Sequence, residues 1–331
     1  MHLALDPFLQ TFTDKVPILQ VFGQGVREGT FAARGDPVRA RTAEDYLRSV
    51  AQTFRGMGST DPRVDVHNDI DFRLSRMISA WKREDPPPNR VKPIPIQIIR
   101  RIALLASTAT DDLTKATADM IIIAFFFLMR PGEYTDTSSE DACPFKLEDV
   151  QLFIGQRRID LATASDDLIR QATFASLTFT WQKNGVRGEV IGLALSGDPY
   201  LCPVKAIIRR VLYLRSKNLA LDVPLARVQG RAKVTSKQIT ETLRDAVVFF
   251  GTSLGFTKED ISARSLRAAG ANALLFAKVD TDIIRLIGRW KSDEMLRYLH
   301  VQAAPLMADY SRRMVESGTY TLIPGQSVPM H

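Results

Sequence analysis

The sequence predicts an α+β fold, mostly helical, with a small antiparallel sheet set between two runs of helix. Three observations carry this expectation. Apolar residues recur at helical spacing in both halves of the chain. Two β-rich runs, SLTFTW (176–181) and EVIGL (189–193), flank an Asn184-Gly185 dipeptide. Five prolines crowd into residues 84–95, EDPPPNRVKPIP. The order helices, strands, helices lacks the strand–helix alternation that signals a parallel sheet.

The N-terminal part, residues 1–83, reads as a small helical bundle. Residues 22–37, rich in glycine and arginine, read as a loop. Its GQG is followed by neither GK[ST] nor the rest of GxGxxG, so it is no phosphate-binding loop. Thr42 is placed to cap a helix AEDYLRSVAQTF, with Tyr46, Leu47, Val50 and Phe54 on one face. A second helix covers residues 71–82, with Phe72, Leu74, Met77, Ile78 and Trp81 apolar. Prolines at the density of residues 84–95 continue neither a helix nor a central strand, so that stretch reads as a semi-rigid linker. The second domain then spans residues 96–331.

Within it, residues 96–106 and 115–129 read as helices, the second apolar nearly all round and therefore central. Pro131-Gly132 ends that pattern. Residues 145–152 and 158–162 read as short strands, and Asn184-Gly185 is a strong tight-turn signal between the two β-rich runs. From Pro203 to about Ser317 amphipathic helices resume, with breaks near residues 216–235 and 251–262. No internal repeat is visible.

Composition narrows the function. The 331 residues are 45% hydrophobic and 24% charged, the ordinary range of a soluble globular chain. No apolar run reaches the roughly 18 residues of a membrane span. Asp6, Asp14 and Lys15 interrupt the first twenty residues, unlike a signal peptide. Two cysteines, Cys143 and Cys202, are too few for a disulfide scaffold, and a reducing compartment is expected. The net charge of +7 favours an anionic partner, nucleic acid being the commonest, although a merely basic protein would read the same. The excess is spread: 14 Lys+Arg against 12 Asp+Glu up to Lys92, and 30 against 25 beyond it. Any contact with nucleic acid therefore comes from a folded surface and not from a basic tail.

Several chemistries lack their residues. The four histidines share no metal-ligand spacing, and GxSxG, HExxH and the Walker A pattern are all missing. What stands out is a series of four islands: Arg130-Pro-Gly-Glu133, Gln182-Lys183-Asn184-Gly185, Arg264-Ser-Leu-Arg267, and Gly288-Arg-Trp290 followed by Arg297-Tyr298. In this order and at these separations they resemble the catalytic domain of tyrosine recombinases, most closely the eukaryotic crypton and DIRS-like branch. The resemblance covers about residues 92–316, and the helical part before it is similar to that family's core-binding domain.

The resemblance implies roles for six residues. Arg130 and Arg267 match the two arginines that hold the scissile phosphate, with Glu133 the companion acid of the first. Lys183 matches the β-hairpin lysine, Trp290 the position of a His or Trp, and Tyr298 the nucleophile. Arg264 stands where the family usually has histidine, and a permanently charged guanidinium is no general base. Each position also has a plain structural reading: Arg130 paired with Glu133 on the surface, Lys183 an exposed turn lysine, Arg267 an exposed helix-start residue, Trp290 a core aromatic, Tyr298 a packed helix tyrosine.

The family's chemistry explains the residue types. Paired guanidiniums neutralise a phosphodiester and lower the cost of a phenolate. Attack by tyrosine conserves bond energy in a phosphotyrosyl link, so the resemblance implies neither metal nor nucleotide cofactor. It further implies double-stranded DNA as partner, self-association as a tetramer on DNA, no membrane attachment, and nuclear location in a eukaryotic host or cytoplasmic otherwise. Because of Arg264, an impaired, DNA-binding descendant stays open as an alternative, as does a helical interaction protein whose islands match by chance. Leu306, Met307, Tyr310 and Met314 share one helical face that could dock on a neighbouring copy or pack within the chain.

Overall fold

The computed structural model describes residues 8–87, 91–136, 144–180, 187–230, 232–250 and 257–290. It divides into two compact units, Met1–Asn89 and Arg90–His331. The first unit consists of helices α1 (Val16–Arg27), α2 (Ala40–Gly56) and α3 (Phe72–Glu84). Val16, Leu19, Leu47 and Leu74 form one apolar cluster, and Val26, Ala40, Ala43 and Trp81 form another.

Two expectations for this unit are corrected. Residues 22–27 complete α1 instead of opening a loop, because burying Val26 against the α2 and α3 side chains offsets the helix cost of Gly23 and Gly25, about 1 kcal/mol each. Thr42 is not the cap of α2, which starts two residues earlier at Ala40. The first amide is satisfied from far along the chain: Asp85 Oδ2 accepts from Ala40 N at 2.8 Å, while Oδ1 accepts from Arg27 Nη1 at 2.8 Å. Asp85 thereby joins the ends of three helices. The start of α3 is capped locally, with Asp71 accepting from Arg73 N at 2.8 Å.

The second unit contains α4 (Ile96–Thr108), α5 (Asp112–Phe126), the single turn α6 (Pro131–Tyr134), β1 (Val150–Ile154), β2 (Arg157–Ile159), α7 (Asp166–Arg170), β3 (Phe174–Phe179), β4 (Glu189–Ala194), α8 (Pro203–Ser216), α9 (Ser236–Phe250), α10 (Ser265–Phe276) and α11 (Thr281–Gly288). The four strands form one antiparallel sheet in the order β2-β1-β3-β4, with Phe179 paired to Glu189 at the end of the β3–β4 ladder. Residues 180–188 join these two strands; Lys183 and the Asn184-Gly185 turn lie outside the described residues.

Helix α5 is central, as its composition demands. Met120, Ile121, Ile122 and Ile123 are all buried, and α4, α8, α9 and α10 pack around it. Its bounds differ from expectation. Asp111 accepts from Thr114 N at 2.7 Å and starts the helix three residues early. It ends at Phe126, and Leu128 turns the chain through a left-handed conformation (φ 49°). Arg130 is therefore not at the end of the apolar helix but four residues past it, at the start of α6.

Other strand boundaries also move. Residues 147–149 form a 3-10 turn, so the strand expected over 145–152 is β1, shifted to Val150–Ile154. Residues 158–162 contribute only the end of β2. Helix α7 went unforeseen: five residues hold too little periodicity to register, although Ser165 caps it by accepting from Leu168 N at 3.2 Å. Cys202 is a buried free thiol at the start of α8, and Cys143 lies outside the described residues. Among the described residues no helix is long and apolar enough to cross a membrane.

One contact decides where the site forms. A Cβ on Gly270 would come within 2.2 Å of the Phe125 carbonyl oxygen, so α10 crosses the end of α5 nearly backbone to backbone. That crossing brings Arg267, one turn earlier on α10, against the chain leaving α5.

Candidate functional site

Three of the four islands meet where α5 gives way to α6, beside the start of α10 and the end of α11. Arg267 is buried and donates from Nη1 to the Leu128 carbonyl at 2.7 Å and from Nη2 to the Gly288 carbonyl. Its guanidinium stacks on the Trp290 ring, 4.2 Å from the centroid. The reading of Arg267 as an exposed helix-start residue is thus corrected, since the α5–α10 crossing encloses it. Trp290 is itself buried, clustered with Leu128, Ala271 and Ile284.

Arg130 sits on the rim, its side chain about one-third exposed. Glu133 holds it twice: Oε2 accepts from Arg130 N at 2.7 Å and Oε1 from Nη1 at 3.1 Å. Next to Glu133, Tyr134 is fully buried and donates its hydroxyl to the Ala263 carbonyl at 2.8 Å. Burial first, then the Glu133 charge, keeps that phenol neutral, with its pKa raised well above the usual tyrosine value. The Tyr134 bond ties the Arg130 loop to the residue preceding Arg264, which is exposed at the first turn of α10.

The residue that sequence reasoning missed is Arg289, quoted within the Gly288-Arg-Trp290 island but given no role. Its side chain has no exposed surface. Nη2 lies 2.8 Å from Glu133 Oε2 and 3.4 Å from the Leu128 carbonyl, while Nη1 donates to Phe127 at 3.2 Å and Ile287 at 3.3 Å. The guanidinium lies over the Phe179 ring, 3.5 Å from its centroid, at the base of the β3–β4 hairpin. Burial, more than the nearby Arg130 charge, lowers its pKa to about 10, while Glu133 works the other way. At neutral pH it remains a cation. A local signal existed, an arginine between Gly288 and Trp290 at a helix end, but nothing local names its partners.

The result is a graded electrostatic arrangement. Two cations share one buried carboxylate, Glu133, and the cation left on the rim is Arg130. Such a fixed, partly exposed guanidinium is suited to an anionic oxygen. Tyr298 and Lys183, together with Leu306, Met307, Tyr310 and Met314, lie outside the described residues.

With this geometry in view, the chain can be set beside known proteins. No protein-family model matches it, and no curated protein matches it in sequence. Solved structures do match. An integrase of the Tn1549 transposon, in complex with transposon right-end DNA, aligns over 93% of this chain and 86% of its own, with a TM-score of 0.51 at 11% identity. The XerH site-specific recombinase bound to a palindromic difH substrate, in a post-cleavage complex, aligns over 91% of this chain and 73% of its own, with a TM-score of 0.53 at 13% identity. These neighbours are tyrosine recombinases and integrases.

The chain has the tyrosine recombinase fold.

At such identities the likeness speaks for architecture alone. It accounts for the mostly helical second unit with its four-stranded antiparallel sheet.

Proposed function

We propose that this protein is a site-specific recombinase or integrase that cuts and rejoins double-stranded DNA through a 3′-phosphotyrosyl link on Tyr298. One observation carries the reading most: the chain gathers Arg130, Arg267 and Trp290, 160 positions apart at the extremes, around the single Leu128–Glu133 turn. The fold and the DNA-bound state of the two neighbours add support.

In this reading Arg130 and Arg267 stabilise the charge that builds on the phosphate, and their positive field eases ionisation of Tyr298, whose ordinary pKa is near 10. The phenolate oxygen forms a bond to phosphorus while the bond to the 5′ oxygen breaks, and Lys183 protonates that leaving oxygen. Trp290 supports the Arg267 plane. Arg264 supplies a donor where the family has histidine. We further propose a mobile-element origin in the crypton or DIRS-like branch, assembly as a tetramer on DNA, and nuclear action in a eukaryotic host.

A nicked suicide substrate carrying the recombination site tests the proposal. The wild type should be trapped as a covalent adduct, and Tyr298→Phe should bind DNA but form none. Adduct that persists in Tyr298→Phe would name another nucleophile. Wild type that binds DNA without adduct would favour an impaired, DNA-binding descendant, which Arg264 makes the second reading.

A further inference from the structure

The strongest unassigned feature is the cap of α11. Trp290 N donates to Arg285 O at 3.0 Å and Arg289 N to Leu286 O at 3.0 Å, the paired bonds that close a helix through a left-handed residue. Glycine normally takes that place, and Gly288 is available one residue earlier. Yet the left-handed residue is Arg289, at φ 57°. Gly288 is committed elsewhere: a Cβ there would lie 1.6 Å from a Trp290 ring atom. A non-glycine residue held left-handed carries backbone strain, and here, unlike the exposed Lys278 in the same position after α10, its side chain is wholly buried.

What that side chain reaches is the Arg130 loop. Glu133 is the bridge, because its Oε2 accepts from both Arg289 Nη2 and Arg130 N, and its Oε1 accepts from Arg130 Nη1. Glu133 can fix the Arg130 guanidinium only if its own carboxylate is fixed, and Arg289 is the partner that fixes it from beneath. Arg289 also spans to the Phe179 ring, so the same guanidinium touches the end of the β3–β4 ladder, between whose strands Lys183 lies in the sequence.

We infer that Arg289 is a positioning residue, which orients Arg130 through Glu133 and aligns the α5–α6 turn with the base of the β3–β4 hairpin. Its catalytic consequence rests on the recombinase reading above; its structural consequence does not. Lysine at 289 would keep the charge but has one nitrogen, and no planar fork to meet Glu133, Phe127 and Leu128 together. A displacement of Arg130 near 1 Å is enough to cost about a hundredfold in rate.

The test uses the full chain with Arg289→Lys, Glu133→Gln and the double variant. Two quantities are read on each: amide hydrogen exchange over residues 127–134, and the rate of adduct formation at saturating nicked DNA, with DNA affinity measured separately. Arg289→Lys should raise exchange in residues 127–134 at least tenfold while α8 keeps its protection. It should slow adduct formation tenfold to a hundredfold with affinity changed less than about threefold, because the phosphate is still bound but held out of line. The double variant should be no slower than the worse single variant, as expected for residues acting through one another. A merely structural role would weaken binding and protection everywhere together. Unchanged exchange over residues 127–134 in Arg289→Lys, or additive losses in the double variant, would overturn the inference. If the wild type forms no adduct, the recombinase reading falls while the exchange result still decides the positioning role.

Discussion

Arg289 and Glu133, 156 positions apart, form a buried ion pair at 2.8 Å that joins the end of α11 to the single turn α6. Around it the chain arranges a rim cation, a stacked arginine–tryptophan pair and the base of a hairpin.

Removing the carboxylate should expose how much that pair matters. Glu133→Ala leaves the Arg289 guanidinium buried with carbonyl acceptors but no countercharge. Breaking a buried pair in this way costs about 3–5 kcal/mol. Denaturant unfolding should show the loss, whereas an unchanged midpoint would mean that the three carbonyls suffice.

Gly270→Ala tests the α5–α10 crossing. The new methyl would sit 2.2 Å from the Phe125 carbonyl oxygen, so one helix must move. Forced overpacking of this kind costs about 1–3 kcal/mol, more than the roughly 1 kcal/mol that alanine gains in helix propensity. Net stabilisation in a thermal melt would contradict the close crossing.

The first unit should show a pH signature through Asp85. The Arg27 guanidinium beside it, with the Ala40 amide, holds this carboxyl below its ordinary value of 3.8. A lowered folded-state pKa contributes stability that is present above the unfolded value and lost as pH falls through the folded one. Asp85→Asn should therefore destabilise the unit at pH 7 by about 1–2 kcal/mol. The gap between variant and wild type should close as pH falls below the ordinary value of 3.8, and a constant gap would show that charge is not the cause.

On the recombinase reading proposed above, Arg264→His places a histidine where that family usually has one; the site is exposed, so folding should be unaffected. General acid–base assistance is worth about a hundredfold or more where it operates. Adduct formation on a nicked substrate should rise at least tenfold if the wild type is a weakened enzyme. No rise would assign Arg264 a purely electrostatic part.

The stretch of prolines should behave as an interdomain linker. Trypsin is expected to cut first after Arg90 and leave two stable fragments, since boundaries between separately cored units are favoured sites of nicking. First cuts within α4 or α5 would place the boundary elsewhere.

The sequence by itself determined element types more than their ends. Apolar spacing at 3.6 residues located α2, α3, α4, α5, α8 and α9, and alternating β-rich runs located β3 and β4, because these signals are local and repeat several times; the stretch after residue 262 read as helical without the break that separates α10 from α11. It failed where the deciding contact was distant. The start of α2 depends on Asp85, 45 positions away. The end of α5 and the burial of Arg267 depend on how closely α10 crosses at Gly270. The four islands were legible as residues, and the family they resemble was legible in their order. The convergence of three of them was not, and neither was the part played by Arg289. An arginine reads alike on a surface or in a core; only tertiary structure decides which carboxylate it meets and so whether its charge can be buried. For Arg289 that partner is Glu133, and the pairing exists only once α11 has folded back onto the turn after α5.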